Sequence, residues 1–357
     1  MPMSLRSWLS RLFGRPPYGT HDRGRRRGPA MHVVVLDGTM SSLEPGYETN
    51  AGLLYKLLRE AGHSANLTLY YEPGIQWAEW RTTLDVLQGR GITKQIQRAY
   101  GVLASRYRPG DSIVLAGYSR GAYAVRSLAG VIDLVGLLRP EHATERMVKQ
   151  AFRHYRLGGR GPAAEAFRGY CHDEVRIEAV AAWDTVKALG LRWPILWRWS
   201  DEEYEFHNHA LGASIRNGFH ALALDETREA YAPVLWSSPP GWSGHVEQVW
   251  FPGNHADVGG QIDGLEAVRP LSNLSLVWML GRLESCGVPL PEDWRRRFPT
   301  DPEAPSVGPW RKWSKLFLGR KRRAVGLNDT ERLHPSVADR GLNVPPLALE
   351  EPSAPTG

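Results

Sequence analysis

Short apolar runs rich in β-branched residues recur along the chain and predict buried strands. Five of them are bounded by polar residues or glycine: HVVVLD (32–37), NLTLYYE (66–72), SIVLAGY (112–118), VRIEAVAAWD (175–184) and EQVWFPG (247–253). Their lengths are typical of strands, and Gly38 ends the first of them. The chain therefore predicts a sheet of at least five strands.

Between these runs, apolar residues recur with the period of an amphipathic helix. The predicted helices cover residues 50–62, 92–107, 120–136 and 271–287. Residues 138–172 contain no predicted strand, and we interpret them as a helical insertion near the sheet edge. Alternating strands and helices favour an α/β fold, with a mostly parallel central sheet covered by helices on both faces.

The stretch GYSRG (117–121) lies between a predicted strand and a predicted helix, and it matches the pattern G-x-S-x-G. Chance matches to five residues are common, but this motif requires the strand before it and the helix after it. The flanking glycines relieve the crowding of the sharp turn, and the helix N-terminus stabilises developing negative charge. The pattern predicts Ser119 as a nucleophile. The glycine spacing disfavours a Rossmann phosphate loop.

A serine nucleophile needs a base, and the base needs an orienting carboxylate. In α/β-hydrolases these follow the serine in the order acid, then histidine. Asp184 ends the fourth predicted strand, at the same sheet edge as Ser119, and His255 lies on the loop FPGNHADVGG after the fifth. Asp184 and His255 are therefore the predicted acid and base.

Each assignment has an alternative. Asp184 could simply cap a helix, a role that Thr185 could share. His334, in LHPSV, is the main rival base, whereas His220, in FHALALDE, is predicted to pack on a helical stripe. Asp257 is the rival acid, but it lies only two residues from His255. Its predicted role is to tie down the glycine loop or to assist a partner.

The backbone N–H of Arg120 and that of Gly38 or Thr39 are the predicted oxyanion donors. Gly38 permits a tight turn directly after the first strand. We further predict that Asp37 pairs with Arg120 and holds the two loops together. A simple Asx turn at Asp37 is the alternative.

Six blocks resemble the bacterial and fungal α/β-hydrolase domain family that includes the GxSxG-type phospholipase effectors of type VI secretion. They cover residues 31–285 in the order and spacing of the family: VVLDGT, TNAGLLYKLL, GDSIVLAGYSRGAYAVRSLAG, AAWDTVKALG, HALALDETREAYAPVLW and QVWFPGNHADVGG. The resemblance implies a triad of Ser119, Asp184 and His255. It also implies ester hydrolysis, with phospholipid as the best-known substrate class. Gln261 replaces a third glycine that is usual after DVGG, and the C-terminal membrane-binding part of the established effectors is not recognised here.

Two segments account for the excess of positive over negative charge. The net charge is +6, and residues 1–30 carry a net charge of +6 while residues 310–323 carry seven cations and no acid, so the remaining chain is acidic. We call residues 310–323 the basic aromatic segment. Cations among aromatic residues are typical of an element that lies on anionic lipid. The membrane-contact candidates are Trp310, Trp313, Lys315 and Phe317.

The basic aromatic segment has two other interpretations. Its aromatic side chains could pack on the domain and leave the cations exposed. Aromatic and basic residues together also suit single-stranded nucleic acid, but nothing else in the chain supports that ligand, and no nucleic acid is expected.

The expected organisation has three parts. Residues 1–30 form a basic N-terminal extension, residues 31–287 the α/β-hydrolase domain, and residues 288–357 a Pro-rich C-terminal part. Translation starting at Met31 is an alternative for the first part. Cys171 and Cys286 are far apart and imply no disulfide framework. Without a recognisable signal peptide, the expected location is the cytoplasm, with peripheral membrane attachment and non-classical export left open.

These features together predict a serine hydrolase that cleaves carboxylic esters, as a lipase or phospholipase, through an acyl-enzyme and without metal or organic cofactor. Its partners would be the ester or phospholipid substrate and an anionic membrane surface. Two alternatives remain: an esterase for small soluble esters, and a catalytically inactive adaptor that binds membrane surfaces or nucleic acid.

Overall fold

A computed structural model describes residues 28–62, 66–74, 90–186, 211–308, 319–341 and 347–349. Within these ranges, seven parallel strands form one sheet, in the order β2-β1-β3-β4-β5-β6-β7. The strands are β1 (Met31–Leu36), β2 (Leu67–Glu72), β3 (Ser112–Tyr118), β4 (Arg176–Trp183), β5 (Ile215–Ala223), β6 (His245–Phe251) and β7 (Glu331–Leu333). The predicted α/β-hydrolase-like fold class is thereby confirmed.

Nine α-helices belong to the described part of the chain. They are α1 (Asn50–Ala61), α2 (Arg90–Arg106), α3 (Arg120–Val135), α4 (Glu145–Arg156), α5 (Pro162–Arg168), α6 (His255–Gly259), α7 (Arg269–Ser285), α8 (Trp294–Arg297) and α9 (Ser336–Asp339). None of these helices is long and apolar enough to cross a membrane.

Both faces of the sheet are covered because alternate residues of each strand point to opposite sides. In β1, Val34 and Leu36 pack with α2 and α3 in one core. Val33 and Val35 pack with α1 and α7 in a second core. The continuous apolar runs in the sequence follow from this double burial.

The helical insertion occupies a different place from the one predicted. Its helices α4 and α5 pack against α3, and α4 also contacts α2, so the insertion extends the helical layer on one face instead of lining an edge. Burial explains the position, because Val148, Phe152 and Tyr155 of α4 and Phe167 of α5 join the core of that face.

The helical assignment around His220 is wrong. Residues 215–223 form β5, which pairs in parallel with β4 and β6, and the run predicted at 247–253 becomes the sixth strand. The last six residues of β5 are buried. A run that is apolar on both sides carries no period that distinguishes a strand from a helix.

The C-terminal part contributes to the same sheet. Strand β7 pairs with β6 through Gln248 and Glu331, Val249 and Arg332, and Trp250 and Leu333. The division at residue 287 therefore does not coincide with the edge of the sheet. Most of the N-terminal extension lies outside the described residues. The same holds for the four membrane-contact candidates at 310, 313, 315 and 317.

Candidate active site

Ser119 lies on a sharp turn between β3 and α3. Its backbone has φ 58° and ψ −120°, a conformation that costs a non-glycine residue on the order of 1–3 kcal/mol. The turn brings the backbones together so closely that a Cβ at Gly117 would lie 2.6 Å from the backbone of Gly121. A Cβ at Gly121 would lie 2.0 Å from the carbonyl oxygen of Leu36. These contacts explain why glycines flank the serine.

Three predicted residues meet at the carboxyl edge of the sheet. Ser119 Oγ lies 2.8 Å from His255 Nε2, and His255 Nδ1 lies 2.5 Å from Asp184 Oδ2. Asp184 follows β4, and His255 opens α6 after β6. All three side chains are buried, and Asp184 has no exposed surface.

Among the described residues, two groups besides His255 hold the Asp184 carboxylate. The backbone N–H of Ala223, at the end of β5, donates to Oδ1 over 2.9 Å. Arg323 donates from its two terminal nitrogens to the two carboxylate oxygens, over 2.5 and 2.9 Å. The sequence did not identify Arg323, because the last residue of a basic run is expected to be exposed. In the structure only 3% of the Arg323 side chain is accessible.

The charges of these groups shift the protonation of the pair. Burial opposes ionisation of Asp184, but Arg323 and the hydrogen bond with His255 outweigh it and hold the pKa of Asp184 below its ordinary value. Burial lowers the pKa of His255, and Asp184 offsets only part of that lowering. At neutral pH the arrangement is therefore a carboxylate beside a neutral imidazole, the state required of a general base.

Aromatic rings enclose the imidazole of His255. The ring of Tyr231 meets it edge-on at 4.8 Å between centroids, and the ring of Tyr118 lies 4.9 Å away. The Tyr118 hydroxyl donates to the carbonyl oxygen of His255 over 3.2 Å. These contacts restrict the imidazole to one orientation.

A buried ion pair supports the same loop and was not predicted. Arg228 donates to Glu226 from Nε and Nη2, and its guanidinium lies 3.7 Å from the centre of the Tyr231 ring. The backbone N–H of His255 donates to Glu226 Oε2 over 3.3 Å. Both residues follow β5, so the misassignment of that strand removed the signal that could have placed them here.

Asp257 faces away from the imidazole. Its carboxylate accepts from the backbone N–H groups of Asn254 and Val307, over 2.9 and 2.7 Å, and from the Ser306 hydroxyl. Asn254 in turn caps α6 by accepting from Ala256. Asp257 thus ties the glycine loop to the C-terminal part of the chain.

The loop after β1 differs from the predicted arrangement. The Gly38 N–H donates to Asp37 Oδ1 over 2.7 Å, so Thr39 is the better candidate of the two for an oxyanion donor. The predicted pairing of Asp37 with Arg120 is wrong: Asp37 accepts from Thr49 and Tyr71, and the Arg120 guanidinium donates to the Thr39 hydroxyl. The cause is burial, which raises the pKa of Asp37 to about 6 and favours neutral donors around it.

The two other candidate histidines have different surroundings. His334 follows β7, stacks on Phe251 at 4.6 Å and pairs with the Ser336 hydroxyl over 2.7 Å. His220 lies within β5, where its Nε2 accepts from the Thr185 N–H over 3.1 Å. The geometry thus joins His255, and neither rival, to Ser119.

The fold and this arrangement define an α/β-hydrolase-like protein with Ser, His and Asp joined at the carboxyl edge of its sheet. The model of a type VI secretion phospholipase effector family, described as the Tle1-like catalytic domain, matches residues 31–282. The match covers more than half of the chain. The chain therefore belongs to this family, and the resemblance inferred from the six sequence blocks is confirmed.

A curated relative and two solved structures show partial similarity. The uncharacterized protein YEL023C of Saccharomyces cerevisiae is 32% identical over 235 residues, which cover 58% of this chain and 33% of that protein. The chain thus spans about a third of the length of the curated relative that it matches.

Both solved structures are 16% identical to the chain. The crystal structure of an uncharacterized protein from Pseudomonas aeruginosa has a TM-score of 0.44, and the match covers 83% of this chain and 51% of the other. The structure of the Tle1 effector bound to the VgrG spike from the type 6 secretion system has a TM-score of 0.38, with coverage of 66% and 52%. Similarity at this level carries no functional argument.

Proposed function

We propose that the protein is a serine hydrolase that cleaves carboxylic esters, acting as a lipase or phospholipase. One observation carries the proposal: Ser119, on a strained turn at the end of a central strand, lies 2.8 Å from an imidazole whose other nitrogen lies 2.5 Å from a buried carboxylate. A serine hydroxyl in this geometry is activated for attack on a carbonyl.

The reaction follows the chemistry of the triad. His255 Nε2 takes the proton from Ser119 Oγ as the oxygen attacks the ester carbonyl, and Asp184 stabilises the imidazolium that forms. The imidazolium then protonates the leaving alcohol, and an acyl-enzyme remains. Water, deprotonated by the same imidazole, releases the acid and restores Ser119.

The oxyanion of the tetrahedral intermediate would be held by backbone N–H groups. Arg120 is the first residue of α3, where backbone N–H groups are oriented toward the helix start and favour negative charge. The Thr39 N–H is the second proposed donor. The bond from the Arg120 side chain to the Thr39 hydroxyl links the two loops that carry these donors.

Two findings support a phospholipid as the substrate. The chain belongs to a family described by its phospholipase effectors, and the basic aromatic segment has the composition of an element that contacts anionic lipid. In this proposal the protein acts at an anionic membrane surface, where each cation near the surface contributes about 1 kcal/mol.

The first experiment measures hydrolysis of a substrate panel, from p-nitrophenyl acetate to dispersed anionic phospholipid. Ser119→Ala, Asp184→Ala and His255→Ala should lose activity, and His334→Ala, a matched histidine variant outside the triad, should retain it. A fluorophosphonate should label the wild type and not Ser119→Ala. A wild type that neither hydrolyses any ester nor reacts with the probe would favour the inactive adaptor.

A second experiment separates a lipase from an esterase for soluble esters. Replacing Trp310, Trp313 and Phe317 by serine removes the aromatic contacts and leaves every cation in place. Cosedimentation with anionic liposomes and phospholipid hydrolysis should both fall, while p-nitrophenyl acetate hydrolysis should stay unchanged. If the wild type prefers short soluble esters and does not sediment with liposomes, the esterase interpretation is the better one.

A further inference from the structure

Besides His255, the Asp184 carboxylate has a partner of opposite charge, Arg323. Arg323 Nη1 lies 2.5 Å from Asp184 Oδ1, and Arg323 Nη2 lies 2.9 Å from Oδ2, so the guanidinium meets the carboxylate as a two-pronged fork. The same nitrogens donate to the carbonyl oxygens of Ala223 and Tyr231, over 2.8 and 2.5 Å. Four hydrogen bonds therefore fix the guanidinium, and the fork fixes the plane of the carboxylate.

Arg323 reaches the site from outside the segment that matches the family model, which ends at residue 282. Its path is held by backbone bonds to the loop after β5. The Glu229 N–H donates to the carbonyl oxygen of Gly319 over 3.1 Å, and the Lys321 N–H donates to that of Thr227 over 2.7 Å. The end of the basic aromatic segment is therefore part of the site's structure.

A buried arginine so close to the acid has an electrostatic consequence. Asp184 stabilises protonated His255, and a positive charge on the far side of the carboxylate weakens that stabilisation. The effect is strong in a site shielded from water, where charges interact through a low effective dielectric constant. The guanidinium also compensates the cost of burying the Asp184 charge, because a buried charge without a partner is unfavourable.

We propose that Arg323 is a positioning residue for Asp184: it holds the carboxylate so that one oxygen faces His255 Nδ1, and its charge restrains the basicity of His255. The inference rests on the proposed triad. It implies that the family segment alone does not complete this site, and that the C-terminal part supplies the counter-charge of its acid.

Other charged and titratable groups face the same pair and must stay constant in a test. Around His255 they are Glu226, Arg228, Tyr231 and Tyr118. His220, on β5, also interacts with Asp184 and Arg323, and burial lowers its pKa to about 3, so it stays neutral at the pH values of interest. Substitution of Arg323 changes none of these side chains.

The test uses Arg323→Met and Arg323→Lys in the full chain. Arg323→Met removes the charge with a side chain of similar length, whereas Arg323→Lys keeps a charge and loses the fork. Arg296→Met is the matched control, because Arg296 is an exposed arginine on α8. The next residue, Arg297, donates to Glu60 of α1.

The first readout is the pKa of the His255 imidazole, measured by NMR titration of histidine-labelled protein and assigned with His255→Ala. In Arg323→Met this pKa should rise by about one unit, because the full charge of Asp184 then acts on the imidazolium. The acidic limb of kcat/KM should move to higher pH by the same amount, and kcat/KM at its plateau should fall on the order of 100-fold. Arg296→Met should leave all three quantities unchanged.

An unchanged or lower His255 pKa in folded Arg323→Met would overturn the proposal. If Arg323→Met does not fold, Arg323→Lys decides: a lower kcat/KM with an unmoved acidic limb supports the proposal, and wild-type kinetics overturn it. The NMR titration needs no substrate, so a wild type without esterase activity would refute the proposed function while the Arg323 titration still gives its own answer.

Discussion

Replacing Gly121 by alanine should damage both the stability and the activity of the protein. The new Cβ would lie 2.0 Å from the carbonyl oxygen of Leu36, whereas Cβ atoms essentially never approach another heavy atom more closely than 3.0 Å. The first turn of α3 must therefore move away from β1 by about 1 Å. The new Cβ would meet a backbone carbonyl, so no flexible side chain can absorb the displacement.

The magnitude follows from that displacement. Inserting a methylene into a closely packed site costs about 1–3 kcal/mol, and a clash with backbone lies at the upper end. For a chain of 357 residues, about 3 kcal/mol lowers Tm by about 4 °C if unfolding is a single step. Ser119 precedes α3 directly, and a misplacement of about 1 Å from its base reduces kcat/KM on the order of 100-fold.

The assay compares thermal unfolding and ester hydrolysis of Gly121→Ala with those of Gly281→Ala. Gly281 lies inside α7, and a Cβ there would meet nothing within 4 Å. That substitution should raise stability by about 1 kcal/mol through helix propensity alone and leave kcat/KM unchanged. If the two variants behave alike, the close approach of α3 and β1 is not what holds the nucleophile turn.

Three further outcomes follow from the charges of the site. Asp184→Asn should lower kcat by about 10⁴-fold, because the imidazolium loses its counter-charge; steady-state kinetics check this, and a loss below about tenfold would contradict the role of Asp184. Burial lowers the pKa of His255 below 6.5 and the neutral imidazole is the active form, so kcat/KM should decline only at more acidic pH; a limb centred above 6.5 in a pH–rate profile would oppose this. Burial raises the pKa of Asp37 from 3.8 to about 6, so the native state keeps a proton that the unfolded chain releases, and wild-type stability falls as pH rises through that window. Asp37→Asn cannot ionise and should gain roughly 3 kcal/mol relative to the wild type between about pH 4 and pH 7 in urea unfolding; parallel stability profiles would argue against a buried, proton-binding Asp37.

The hydrophobic pattern along the chain was sufficient for the elements that carry the site. The turn around Ser119 was recognisable because an apolar run, two glycines and a helical stripe all lie within residues 112–136. Asp184 and His255 were recognisable because each follows an apolar run, and parallel strands end at the same edge of a sheet. These signals are local, so they can be recognised in a single sequence.

Other features depended on contacts between distant segments, and only the tertiary structure decided them. Strand β5 is buried on both faces, so its run of apolar residues had no distinguishing period, and Glu226 and Arg228 beyond it were missed with it. Asp37 took neutral donors because burial made an ionised carboxylate costly there.

Arg323 shows the difference most clearly. By sequence it ends a basic run, and such runs are usually solvated or bind anionic surfaces. In the fold, backbone bonds to the loop after β5 carry it inward, 139 residues beyond Asp184, to pair with that carboxylate. The sequence by itself determined five of the seven strands, the turn at Ser119 and the chain order of Ser119, Asp184 and His255, because neighbouring residues encode them. Which charge balances the acid was decided by the tertiary structure, because it depends on where two segments far apart in the chain meet.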